Sequence, residues 1–421
     1  MKQTLINFPH EILGLPLFGV GWLLIAWLTW CLIWAILVWK RHASLATLRS
    51  QLPVILLATV AIVILMPWLE PRDAAGQPAG MAVRGYGLMM MLGVIAGIGL
   101  AVQRGRRMGL HPDIIFSLAL AMFVVGLGTA RIFYVVQYWS VSFHRPGETF
   151  DFLVVAGRVL KFTEGGLVVY GALIGALVAT LYYLHRNKLP KLAVADLVAP
   201  SMLIGLALGR IGCLLNGCCY GGACPGDALG LEFPSPSPPY MAQLHEGTLL
   251  GLELDDNDRV EQVDPASLAG RAGIRKGELV QQIRIVKNQV LLTAGEPGQE
   301  RRDYPFEIDE LPQRSVPVYP SQLLSSINAL LLCFFLCAVY PYRKRDGQVI
   351  ALLLILYATS RFLLEIIRSD EPHVYFSLFT PAQTVSLIIF TSGVVLFIAT
   401  SLFSRPLALP VIESRVNHGD K

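Results

Sequence analysis

Two arginines and a group of cysteines stand out as residues that could do chemistry. Arg210 closes an apolar run, Leu197 to Leu208, with the composition of a membrane helix. A charge near bilayer depth is costly, so it either snorkels to the interface or serves a ligand. Gly209 and Gly212 flank it, and without Cβ atoms they let the backbone approach a ligand or a second helix. In a later apolar run Glu365 follows Arg361 by four residues and Tyr357 precedes it by four. On a helix these three share one stripe, with Arg368 continuing it. Arg361 and Glu365 could be a structural ion pair. A guanidinium is also a good phosphate clamp, because it stays protonated and its planar fork matches phosphate oxygens. Two such arginines favour an anionic ligand, and the abundant anionic phosphate of a bilayer is the phospholipid head group. Cys213, Cys218, Cys219 and Cys224 crowd one loop. A disulfide from Cys218 or Cys219 to Cys224 is expected there. A metal site is not, because the spacing fits no zinc pattern and no histidine is adjacent.

The elements that must position these residues are membrane helices. The chain has 421 residues, 54% hydrophobic and only 15% charged, too apolar for a soluble domain of this length. The net charge of +4 is small, and the basic residues sit in short loops, which suits membrane topology and not nucleic-acid binding. Nine spans are expected: Phe18–Trp39, Leu52–Leu69, Tyr86–Gln103, Ile114–Val136, Gly165–Leu184, Val194–Leu215, Leu323–Tyr340, Val349–Ile367 and Thr384–Phe403. The basic loops at 40–49, 103–107, 185–191 and 342–345 and the C-terminal tail then fall on one side, the cytoplasmic one. The N-terminus, the 139–163 loop and a long 217–320 insertion face outward. The first apolar run is too long for a signal-peptide core and lacks a small-residue cleavage site.

Within the insertion, Leu249 to Leu254 alternates like a strand. Pro265-Ala266-Ser267 then opens a short helix, and a Gly-marked turn leads into a strand from Glu278. The order of these pieces resembles part of a PDZ domain, which binds extended peptides by strand addition. A folded outer loop without a peptide site is the competing reading. The expected organisation is therefore an all-α polytopic membrane protein with a small extracytoplasmic PDZ-like α/β insertion. Residues 1–83 form an arm and an extra transmembrane hairpin, 84–239 and 317–404 the two parts of the membrane core, 240–316 the insertion and 405–421 the tail.

Motifs spread over the membrane part resemble those of the prolipoprotein diacylglyceryl transferases. They are Arg84-Gly85-Tyr86-Gly87; Gly165 to Gly175; Asp196 with Pro200; Gly209 to Gly221, with Arg210, Gly212, Asn216, Gly217 and Gly221 in place; Phe233-Pro234; Tyr319-Pro320-Ser321-Gln322; Tyr357 with Arg361-Phe362-Leu363-Leu364-Glu365 and Arg368; and Gln383 with Ser386. The resemblance implies transfer of diacylglycerol from phosphatidylglycerol to the thiol of a prolipoprotein lipobox cysteine, in the bacterial plasma (inner) membrane. It implies catalytic roles for Tyr86, Tyr170, Arg210, Arg361 and Glu365. Phosphatidylglycerol binding would fall to Arg210, Arg361, Tyr357, Asn216, Gly209 and Gly212. The implied partners are phosphatidylglycerol and the prolipoprotein signal peptide, with a peptide at the insertion. Neither metal nor organic cofactor is implied.

This chain also departs from the family pattern. Tyr170 stands at the family's histidine, Cys213 at the signature asparagine, Cys218 at an acidic residue, and Tyr319 at a histidine before Pro-Ser-Gln. Histidine suits proton transfer at neutral pH, where an ordinary tyrosine holds its proton. A transferase with another acceptor or slower turnover fits this pattern. So does a membrane lipid-binding or thiol-redox module without diacylglyceryl transfer.

Overall fold

The computed structural model describes residues 4–40, 45–71, 76–143, 151–160, 166, 168–224, 226, 229–255, 257–296, 301–366, 379–403 and 407–408. The chain divides into two compact units, Thr4–Gly85 with Arg131–Val168, and Tyr86–Ala130 with Val169–Lys421. Arg368, Gly165 and the tail beyond residue 408 lie outside the described residues.

In the first unit, β1 (Thr4–Phe8) pairs antiparallel with β4 (Met81–Arg84), while β2 (Glu11–Ile12) and β3 (Leu15–Pro16) form a small hairpin. Buried Glu70 accepts from His10 Nδ1 at 2.8 Å and from the Gly80 amide at 2.9 Å, tying the N-terminal arm to the loop before β4. Two apolar helices lie between. α1 is Trp22–Lys40, and α2 (Leu45–Val60) continues through a π turn at Ala61–Leu65 into α3 (Met66–Leu69). Trp27 Nε1 donates to Thr59 Oγ1 at 3.2 Å between them. α6 (Phe152–Leu160) gives Arg131 two acceptors, the Arg158 and Val159 carbonyls, each at 2.9 Å.

The second unit is a helical bundle with an appended domain. Its helices are α4 (Gly85–Arg107), α5 (Pro112–Gln137, whose last residues belong to the first unit), α7 (Val169–Arg186), α8 (Lys191–Asn216), α11 (Ser321–Val339), α12 (Gln348–Ile366) and α13 (Pro381–Phe403). Half of α8's apolar stretch is buried, against 28% or less for the other long apolar helices, so α8 is the central one. Ala199 and Leu203 of α8 share a buried cluster with Cys333 and Leu336 of α11 and with Val349 and Leu353 of α12. Ser326 Oγ donates to the Ala207 carbonyl at 3.0 Å, a small polar tie between α11 and α8.

Seven helices among the described residues are long and apolar enough to cross a membrane. Their outer faces carry large apolar side chains such as Phe123, 63% exposed, and Phe334, 69% exposed, the pattern of helices solvated by lipid. α1 has a shorter apolar stretch, Trp22–Val38.

The inserted domain has one core, running from Tyr240 and Leu244 of α9 (Pro238–His245) to Leu311. β5 (Leu252–Leu254) pairs with β6 (Val260–Val263). α10 (Leu268–Arg271) follows, its Gly270 amide capped by Ser267 Oγ at 3.1 Å. β7 (Leu279–Val286), β8 (Gln289–Gly295) and β9 (Arg302–Glu307) form an antiparallel meander. The helix at Pro-Ala-Ser and the strand after it are thus present. The expected strand over Leu249–Leu254 is present only as Leu252–Leu254. Thr248–Leu250 is a 3-10 turn, because Gly247 and Gly251, at φ 79° and 82°, bend the chain on either side of it. Reciprocal amide–carbonyl bonds between Leu231 and Val318, and from Gly221 to the Tyr319 carbonyl, zip the domain's two connections together where they meet α8 and α11.

Candidate active site

Asp196, fully buried near the start of α8, accepts the Gly347 amide at 2.7 Å and the Ile350 amide at 2.8 Å. Its carboxylate therefore caps α12 and fixes that helix beside α8, both running the same way. Further along, Tyr357 packs on the cluster that holds Leu203 and Leu353. Arg210 is fourteen residues beyond Asp196 and Arg361 eleven beyond Ile350. At 1.5 Å per residue these are rises of about 21 and about 17 Å, so the two arginines stand at nearly one level, toward the end of the bundle that carries the insertion.

Arg361 is held by its own helix. It donates through Nη1 to Glu365 Oε2, and the Glu365 side chain is 1% exposed. Glu365 Oε1 also accepts from Thr380 Oγ1 at 3.3 Å. Thr380 precedes α13 and forms a capping box with Gln383: Thr380 Oγ1 accepts the Gln383 amide at 3.2 Å, and Gln383 Oε1 accepts the Thr380 amide at 3.1 Å. The box orients the threonine hydroxyl toward Glu365, and Glu365 in turn orients Arg361. Thr380 was not singled out in the sequence, although Thr-x-x-Gln before an apolar run is a readable signal.

Arg210 is half-buried and makes no hydrogen bond or ion pair to any described residue. On the same helix Gly209 and Gly212 receive α4. A Cβ at Gly212 would stand 3.2 Å from Tyr86 Cδ2 and 3.3 Å from the Tyr86 carbonyl, and one at Gly209 3.4 Å from Met90 Sδ. Further down, Gly93 meets the Gly205 carbonyl and Gly97 the Ser201 carbonyl, each at 3.0 Å from the built Cβ. This small-residue seam sets Tyr86 beside the Arg210 turn, close to Cys213, Cys218 and Cys219. Asn216 is the last residue of α8, and Gly217 ends that helix in the left-handed region at φ 75°.

The structure therefore brings Tyr86, Gly209, Arg210 and Gly212 together, sets Arg361, Glu365 and Tyr357 on one stripe of α12, and puts both arginines at a common level. Tyr170, in the first turn of α7, is 59% exposed. Among the described residues no hydrogen bond or ion pair joins it to the arginines or to Glu365. None of the seven cysteines is in a disulfide, so the expected link from Cys218 or Cys219 to Cys224 is absent. Cys213 is the thiol that meets Cys218 and Cys219 instead, with the three sulfurs within 4.8 Å of one another.

Between α4, α5 and α8 runs an apolar groove of about 330 Å³, lined by Met90, Val94, Phe123 and Met202 among others.

The fold defines a polytopic helical membrane protein, with Arg210 and Arg361 at nearly one level of its bundle. Residues 75–399 match the family described as prolipoprotein diacylglyceryl transferase. A relative in Rhodopirellula baltica, named phosphatidylglycerol–prolipoprotein diacylglyceryl transferase, is 35% identical over 94% of this chain and 88% of its own length. A second, from Clostridium perfringens, is 25% identical over 79% of this chain and 97% of its own. The chain belongs to the prolipoprotein diacylglyceryl transferase family.

Proposed function

We propose that this protein transfers the diacylglyceryl group of phosphatidylglycerol to the thiol of a prolipoprotein lipobox cysteine. The observation that carries the reading is Arg210: a half-buried guanidinium on the central helix, with no carboxylate partner among the described residues, level with an Arg361 whose direction is set by Glu365. A lipid phosphodiester between them accepts from both guanidinium groups. The apolar groove beside α4 and α8 suits an acyl chain, since it lies at membrane depth and offers almost no polar surface.

In the reaction the acceptor sulfur bonds to the glyceryl carbon next to the phosphate oxygen, and that carbon–oxygen bond breaks. Sn-glycerol-1-phosphate leaves with the bonding pair, and the arginines offset the charge that builds on its oxygens. The thiol's proton must leave for the sulfur to attack as thiolate. The monoester formed, with a second pKa of about 6, can carry that proton away. Tyr86, beside Arg210, is placed to donate to the lipid head. Tyr170 occupies the family's histidine position and takes no part in this scheme that its geometry supports.

α1 and α7 complete nine spans in this reading. The basic loops then lie in the cytoplasm of a bacterium, and the insertion lies outside its plasma membrane. The insertion's order of hairpin, short helix and meander fits a PDZ-like module that takes an extended peptide at a strand edge.

Complementation of a transferase-depleted bacterium tests the function, with lipoprotein mass as the readout. The wild type restores the diacylglyceryl mass increment. Arg210→Ala, present in the membrane at normal level, loses at least about a hundredfold in rate, as expected for removing a charge-stabilising donor. Full lipidation by that variant would exclude the clamp.

A further inference from the structure

Cys213, Cys218 and Cys219 fall within seven residues, and the backbone brings their side chains together. α8 ends in a Schellman turn: Gly217, at φ 75°, donates to the Leu214 carbonyl at 3.2 Å, and the Cys218 amide donates to the Cys213 carbonyl at 3.1 Å. The chain therefore folds back over its own last turn and carries Cys218 onto Cys213. Cys219 adopts φ 60°, a left-handed conformation rare for a residue with a Cβ, which turns its side chain to the same cluster. Two side chains at the start of α11 hold this turn. Gln322 Nε2 donates to the Cys218 carbonyl at 2.8 Å, and Ser321 Oγ donates to the Cys219 carbonyl at 2.6 Å. The Cys218 thiol donates to the Cys213 carbonyl at 3.7 Å. Among the described residues the cluster contains no carboxylate and no imidazole.

We propose that this triad binds one soft, thiophilic metal ion, with monovalent copper as the ion its chemistry favours. The sulfurs lie within 4.8 Å of one another. A trigonal site with metal–sulfur bonds of about 2.3 Å needs sulfur–sulfur separations of about 4.0 Å, so closure asks for rotamer adjustments of under an ångström. Three thiolates without nitrogen or oxygen donors select Cu(I) over hard cations. Binding releases up to three protons, one from each thiol, and involves no change of oxidation state. Oxidised, the same three sulfurs could not serve, because any pair joined in a disulfide leaves one thiol.

The full-length protein, purified in detergent under reducing, oxygen-free conditions, should take one Cu(I) per chain from a chromophoric Cu(I) chelator. Cys213→Ser, Cys218→Ser and Cys219→Ser should each weaken binding by about tenfold or more, and Cys31→Ser should leave it unchanged. Wild-type binding should weaken as pH falls, because protons compete for the sulfurs. Retention of stoichiometric copper by the triple serine variant would overturn the site. So would wild-type binding no tighter than that of the triple variant. A third refutation would be protein isolated from membranes two hydrogens light, with the bond mapped inside the triad, that binds no Cu(I) after reduction. The membrane level and thermal unfolding of the triple variant separate loss of the site from loss of the fold.

Discussion

Replacing Glu365 by glutamine tests whether Arg361 acts as a positioned clamp. The glutamine keeps the side chain's size and its contact with Thr380, but it removes the charge that Arg361 faces. A hydrogen bond to a charged partner contributes about 1.5–3 kcal/mol and a neutral one about 0.5–1.5 kcal/mol, so the difference is about 1–2 kcal/mol. Glu365 is buried, with its side chain 1% exposed, whereas the Arg361 side chain is 17% exposed, so water screens the pair only partly. If that energy holds Arg361 in its transition-state position, the rate of lipidation falls by about five- to thirtyfold. The fall should appear mainly in kcat, because the charge on the departing phosphate is largest in the transition state. The assay follows diacylglyceryl transfer from phosphatidylglycerol vesicles to a lipobox peptide by mass. Since Glu365 acts through Arg361, the Arg361→Ala/Glu365→Gln double variant should be no slower than Arg361→Ala alone. The positioning argument is refuted by a Glu365→Gln rate within twofold of wild type, or by a double variant whose loss is the product of the two single losses.

Other outcomes follow from the packing. Gly212→Val should abolish transfer while Gly209→Ala is tolerated, because a Cβ at Gly212 meets Tyr86 and Met89 at 3.2–3.3 Å and one at Gly209 has only ordinary contact at 3.4 Å; relative lipidation rates at equal membrane level decide it. Asp196→Ala should destabilise the bundle by about 3–5 kcal/mol, since it orphans the α12 amides and leaves buried Arg343, 4.0 Å away, without its carboxylate; heat denaturation in detergent should show a lowered midpoint. In the insertion, the Arg259 and Asn257 amides hold the Asp255 carboxyl below its usual range. Its contribution to the 255–259 turn is therefore full above the unfolded pKa of about 4 and is lost as pH falls through the lower folded value. Protection of those amides, their exchange relative to the intrinsic rate at each pH, should fall in acid, and Asp255→Ala should show the low protection at every pH.

The candidate site residues legible in the sequence are those whose position the membrane itself makes conspicuous. Arg210, Arg361 and Glu365 are conspicuous because charge is rare at that depth, and the four-residue spacing of Tyr357, Arg361 and Glu365 fixes a common stripe without any tertiary information. The thiol triad was not legible, since it depends on two left-handed residues, Gly217 and Cys219, and on anchors more than a hundred positions away. The same holds for the basic loop at 342–345. Read as a topology marker, it also places Arg343, 3.8 Å from the Tyr340 ring, opposite Arg104 at 4.1 Å, so that one tyrosine lies between two cations. Alternation held at Leu252–Leu254 but misled at Leu249–Leu250, where glycines at both ends of Thr248–Leu250 outweigh the hydrophobic pattern.

The anchors at the far end of the bundle also explain how, in the proposed function, two arginines on separate helices would serve one phosphate. A slip of one residue between α8 and α12 would move Arg361 by 1.5 Å along the axis and rotate it by about 100°, out of reach of a ligand shared with Arg210. Apolar packing alone resists such a slip weakly, because leucine and isoleucine side chains can exchange neighbours at small cost. Asp196 resists it strongly, because its two oxygens accept two particular amides, Gly347 and Ile350, whose separation matches only one register. Gly347 itself takes φ 95°, a conformation that lets α12 begin where the carboxylate can reach it. The register set at Asp196 is carried along about 20 Å of helix to the arginines, so a variant that loses this cap without unfolding should bind phospholipid yet transfer it slowly.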